Sequence, residues 1–186
     1  MSDELVKKFL EVSNVALPAT HSGAEVNQAI EFYRRKIWPS EVRETMLAYE
    51  NNDQVEMYDG VGDQSFIVIA VGLMGGDNDD MNNILSGSVE MSGIKQVEVL
   101  EHIITTVCES NLTKFDTTDD EVVKTSQKYL DLGIETYRIW NEKHKLFATF
   151  SSFDQTDHNG KEWPANKLVK SAVNYREPDF RAILHV

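Results

Sequence analysis

Residues 54–73 read QVEMYDGVGDQSFIVIAVGL, and the architecture of the chain turns on how this run is divided. Its first part, QVEMYD, places Val55 and Met57 at alternate positions, the spacing of a strand with one covered face. Gly60 and Gly62 bracket a turn-rich link, GVGDQ, because glycine tolerates positive φ. The remaining SFIVIAVGL is a continuous apolar run rich in β-branched residues. Such a run suits a strand buried on both faces. The pattern therefore predicts a hairpin over 54–73, with a third short strand in SGSVEMSG (86–93). GGDNDDMNN (75–83) reads as a polar loop or the start of a short helix.

Helical periodicity flanks this segment. Leu5, Phe9 and Val12, with Val6 and Leu10 beside them, form one stripe. Ser22 and Glu25 match a capping box, in which each side chain satisfies the other residue's backbone N–H. Val26, Ile30, Tyr33 and Ile37 then recur at helical intervals. Pro39 fits the first turn of a third helix, whose buried side is expected from Val42, Met46 and Tyr49. Val97, Leu100, Ile103, Ile104 and Val107 define a helix starting near 95. Thr118 and Glu121 repeat the capping box. Val123, Leu130, Ile134 and Tyr137 continue with helical spacing across Gly133, as one helix or two. HKLFATFSSF (144–153) fits a helix or a strand, NKLVKSAVNY (166–175) a helix, and RAILHV (181–186) a last strand. The fold class expected is α+β: several amphipathic helices packed on a small, mainly antiparallel sheet, in a single globular domain over 1–186. An all-α fold is the alternative, if 144–153 extends the preceding helix.

A chain of 186 residues can bury an adequate core without disulfides or metal. Its single cysteine, Cys108, rules out an internal disulfide framework. MSDELVKKFLEVSN does not read as a secretory signal. FIVIAVGLM (66–74) is too short to span a bilayer as a helix. These features point to a cytoplasmic, intracellular setting, which includes a viral protein in host cytoplasm or virion.

The net charge is −13. That opposes nucleic-acid binding through a general basic surface and docking on anionic membranes. The charge is also unevenly placed. No Lys or Arg occurs between Arg43 and Lys95. The interval holds Glu44, Glu50, Asp53, Glu56 and Asp59, then Asp63, Asp77, Asp79, Asp80 and Glu90. These ten acids are the candidate partner-binding region. By contrast, residues 161–186 hold Lys161, Lys167, Lys170, Arg176 and Arg181 against Glu162, Glu177 and Asp179, and Arg34-Arg35-Lys36 is a second basic spot.

The stretch DQTDHNGKEW (154–163) has the residue types of a metal loop. With Gly160 at the sixth position of a calcium loop, Asp157 and Asn159 take positions three and five. Gln155 and Asn166 then fall where carboxylates are required. The stretch therefore reads as a turn. Asp77, Asp79 and Asp80 read as a helix N-terminus, where acids are favoured. His21, His102, His144, His158 and His185 form no zinc motif, and His102 is expected near the surface. Cys108, next to Glu109, reads as a buried structural thiol.

No catalytic residue, metal or cofactor is assigned, and the reading leans away from an enzyme. Three function classes follow. The first is a protein–protein interaction or self-assembly subunit, such as a structural protein of a particle or filament, or an adaptor; its partner is another protein or a second copy. The second is an acidic inhibitor that mimics nucleic acid on a basic partner, which requires one exposed stripe of carboxylates. The third is a small metal-assisted hydrolase using Asp154, Asp157 and His158.

Overall fold

The structure is a computed structural model and describes residues 1–184. The fold is α+β, with seven α-helices and two small antiparallel sheets among the described residues. The chain divides into two compact units. The first comprises residues 1–10, 15–109 and 178–186, and the second residues 11–14 and 110–177. The boundaries fall inside two helices, α1 (Ser2–Val12) and α6 (Val97–Leu112).

The first unit is built around α4, a single helix over Gln54–Leu73. The hairpin expected for this run does not form. An apolar stretch buried on all sides has no visible period, so a core helix and a core strand look alike in sequence. Nearly every residue of α4 from Gly60 to Val71 is buried. Gly60 and Gly62 are packing positions in place of turn residues. A Cβ on Gly60 would lie 2.9 Å from Thr45 Cβ, and one on Gly62 2.9 Å from Val107 Cβ. Their missing side chains let α3 (Trp38–Glu50) and α6 approach the helix closely.

This close approach explains another correction. The buried side of α3 is Trp38, Thr45 and Ala48, while Met46 and Tyr49 are about half exposed. Small residues face the glycine-bearing helix. Gln64, fully buried on α4, donates from Nε2 to Thr45 Oγ1 at 2.7 Å. Its Oε1 accepts from Ser88 Oγ at 3.0 Å, on α5 (Asp79–Met91). One amide thus joins three helices with its polar atoms satisfied, as burial demands. The strand expected at 86–93 is therefore mostly the end of α5, while 75–78 is a loop ahead of that helix.

Helix α1 contributes Phe9, whose ring meets Phe66 edge-on at 4.9 Å. The Ser22–Glu25 capping box opens α2 (Gly23–Phe32) as expected. A π-helical turn, Tyr33–Ile37, joins α2 to α3 without a break. This wider turn falls directly ahead of Pro39, whose ring would collide with a carbonyl four residues back in an unbroken α-helix. Ile103 and Val107 on α6 cluster with Phe180 and Ile183. Residues 181–184 form a turn, not the expected strand; His185 and Val186 lie outside the described residues.

The second unit opens with the Thr118–Glu121 capping box and α7 (Asp119–Leu130). The helix stops there, and Gly133 at φ +85° takes the left-handed conformation that glycine accepts. Its buried side is Val122, Thr125 and Tyr129; Val123 and Leu130 are exposed. Ile134 and Tyr137 share its spacing only by coincidence, for Tyr137 lies in β1 (Thr136–Asn141). This strand pairs with β2 (Leu146–Ser151), resolving 144–153 in favour of a strand. Trp140 faces Phe147 and Tyr137 faces Phe150, and both ring pairs are in contact. Asp116 and Leu168 bridge to β2 as well.

Residues 166–175 are extended and turned, with no helix. Their backbone groups are claimed from outside: Val169 N–H donates to Thr149 O and Ser171 N–H to Lys114 O. A second hairpin, β3 (Gln155–Thr156) with β4 (Glu162–Trp163), encloses the HNG turn.

Candidate interaction surfaces

The metal-like stretch 154–163 is a turn organised by one carboxylate. Asp157 Oδ1 accepts from the N–H groups of Asn159 and Lys161, each at 2.9 Å, and Oδ2 accepts from Trp163 Nε1 at 3.1 Å. The Trp163 bond, then the backbone bonds, hold this carboxyl below its ordinary value. Asp154 Oδ1 accepts from Ala165 N–H at 2.7 Å. Both acids are engaged with their own loop. His158 lies against Gly133, its Nε2 2.6 Å from where a Cβ would stand. Among the described residues, no three His, Cys, Asp or Glu side chains converge to hold a metal ion. No described helix is long and apolar enough to cross a membrane. Cys108 is buried, and desolvation with nearby Asp63, Asp3 and Glu109 pushes its thiol up to about 12. His102 is exposed.

A second buried carboxylate sits deeper. Asp116, 1% exposed, accepts through Oδ1 from Thr125 Oγ1 at 3.1 Å and from Ser171 Oγ. Its Oδ2 has no partner among the described residues. Burial raises its pKa against the pull of the two hydroxyls. Thr125 Oγ1 and Ser171 Oγ in turn accept from the N–H groups of Ala172, Val173 and Asn174. Asn174 Nδ2 reaches Phe115 O and Glu121 Oε2. This network fastens the segment 171–174, whose sequence alone looked helical.

The ten acids of 44–94 do not share one line. Asp53 caps α4 and Glu56 lies in its first turn. Glu50 ends α3, one short turn away. Gln54 Nε2 donates to Ser92 O at 3.0 Å, which draws the end of α5, with Glu90, to the same place. Asp77, Asp79 and Asp80 lie beyond the other end of α4. A helix of 20 residues separates the two groups by about 30 Å. Glu44 is exposed midway along α3, and Asp59 and Asp63 are half-buried on α4. The carboxylates therefore gather mainly at two ends instead of along one stripe.

The end holding Glu50, Asp53, Glu56 and Glu90 also carries exposed apolar side chains. Tyr49 is 49% exposed, Val55 42% and Met91 38%. Met46 and Leu47 continue the same kind of surface one turn back on α3. The bases nearest in sequence are Arg43 and Lys95. Periodicity alone had assigned Met46 and Tyr49 to the core, so this surface escaped a reading of the sequence.

The second unit carries a surface of the opposite kind. Lys161 and Lys167 stand over the Trp163 ring at 5.2 and 5.5 Å. Trp163 meets Tyr129 edge-on at 5.3 Å, and Lys128 stands over Tyr129 at 5.6 Å. Lys170 lies 4.2 Å from the Tyr175 ring, and its N–H donates to Tyr129 Oη. Lys128, Lys161 and Lys167 thus flank the buried Tyr129–Trp163 pair and Lys170 flanks Tyr175, all within the range where ring faces attract cations. The first unit holds eight Lys and Arg against nineteen Asp and Glu, net −11. The second holds ten against twelve, net −2.

No protein-family model matches this chain, and neither a curated protein nor a solved structure matches it.

Proposed function

We propose that the chain is a protein–protein interaction subunit whose docking face is the α3–α4 turn with the end of α5. One observation carries this reading: exposed Met46, Tyr49, Val55 and Met91 stand among Glu50, Asp53, Glu56 and Glu90. Apolar area supplies affinity on contact. Surrounding carboxylates steer a positively charged partner and reject a negative one. Methionine adapts its shape to the surface it meets. The occupant of this face is a protein surface that presents lysine or arginine around apolar or aromatic groups.

A labelled amphipathic helix of alternating Lys and Leu faces is a suitable probe, followed by fluorescence anisotropy. Binding is expected to weaken as salt rises. The paired substitution Glu50→Lys with Glu90→Lys should weaken it by about tenfold or more. Equal binding to the parent and this variant, or no binding at low salt, overturns the reading.

A further inference from the structure

We infer that the partner is a second copy of the same chain, docking head to tail through its lysine–aromatic cluster. This rests on the preceding reading of the acidic face and names its occupant. The argument is complementarity between two surfaces of one sequence. The first face pairs four carboxylates with Tyr49, Val55 and Met91. The cluster on the second unit offers Lys128, Lys161, Lys167 and Lys170 over a base of buried Tyr129 and Trp163 and part-buried Tyr175. The charges are those that each face requires: four cations on one, four carboxylates on the other.

The lysines are already arranged. Those over Trp163 and Tyr175 rest on ring faces, so less side-chain freedom is lost when they meet a carboxylate. The division of charge acts over a longer range. At net −11 and −2, two first units repel most strongly, so the acidic face of a first unit meets the second unit of another copy in preference to its first. Two different patches that pair in this way form a heterologous contact, which closes into a ring or runs on as a filament.

The test is absolute mass by light scattering after size exclusion, across protein concentration at low and high salt. Species heavier than the 21.1 kDa chain should grow with concentration and shrink with salt. Two charge-reversed variants separate this contact from others. Lys161→Glu with Lys167→Glu spoils one face, and Glu50→Lys with Glu90→Lys spoils the other. Each should remain monomeric alone, with circular dichroism and thermal midpoint confirming that it folds. Mixed together, each retains the face the other has lost, so a pair of twice the chain mass should appear.

A parent chain that stays monomeric in every condition overturns the inference, as does a mixture of folded variants that does not pair. If the Lys–Leu probe still binds the parent and not the Glu50→Lys, Glu90→Lys variant, only the identification of the partner falls. If the probe fails as well, the docking face falls with it.

Discussion

The two units hold themselves together by different means. In the first, a helix with almost no polar side chain in its second half is wrapped by others, and glycine lets the backbones approach. Gln64, buried on that helix, is satisfied at both ends by hydroxyls on neighbouring helices. In the second unit, regular elements are short, and carboxylates and hydroxyls tie the irregular backbone. Asp116 and Asp157 each gather three or more donors, directly or through the hydroxyls that they hold. Shape complementarity governs stability in the first unit. In the second, side-chain hydrogen bonds fix backbone that lies outside regular elements.

The sharpest way to break that contrast lies at Asp116. Replacing it with alanine removes the acceptor of two buried hydroxyls and should cost about 3 kcal/mol, since each stranded donor costs roughly 1–3 kcal/mol. Asp116→Asn keeps an acceptor and should fold nearly as well as the parent. The pH dependence has a definite sign. Burial raises the folded pKa above the ordinary 3.8, so the folded state penalises the ionised form. The parent therefore loses stability as pH rises from the unfolded value through the folded one. Asp116→Asn lacks this loss, so its stability relative to the parent should rise across that interval in urea titrations. An alanine variant as stable as the asparagine variant would mean that the network is incidental.

A somewhat smaller effect is expected in the first unit. Gly62→Ala places a methyl group against Val107 and should cost about 2 kcal/mol, the usual scale of overpacking. Val107→Ala should recover part of that loss, giving a thermal midpoint for the double variant above the sum of the single effects. Strict additivity would remove glycine packing from the account of α4.

The smallest effect is local. The Trp163 hydrogen bond and two backbone bonds lower the folded pKa of Asp157. Its contribution is present above the ordinary carboxyl value and is lost as pH falls through the lowered one. The protection factors of the Asn159 and Lys161 amides, corrected for the intrinsic pH dependence of exchange, should therefore fall in acid while those of the α4 core hold. Protection lost equally in both places would show that the turn does not open independently.

What could be read in the sequence follows the same division. Capping boxes at Ser22 and Thr118 are local chemistry, and both predicted their helices. The stripe of α1 and the turn at His158–Gly160 were legible for the same reason. The middle of the chain was not. A helix enclosed on every side loses the period that marks a helix, and glycine used for contact has the same letter as glycine used for turning. The β1 strand was hidden because Ile134 and Tyr137 fall on the helical spacing of residues already past Gly133. Segment 166–175 was misread because the bonds that hold it extended come from residues 114, 125, 149 and 151. The acidic interval was legible as composition, but its gathering at two ends depends on α4 being one rod.

That rod has a consequence during synthesis. The side chains of α6 on which Gly62 rests are added about thirty residues after α4 is complete, a delay of seconds at roughly 5–20 residues per second. Throughout that delay FIVIAVGLM leaves the ribosome without its cover, and the same β-branched letters that suggest a strand make it adhesive to other nascent chains. Fragments ending before residue 97 should therefore need a chaperone to stay in solution, whereas the finished chain hides the segment in its own interior.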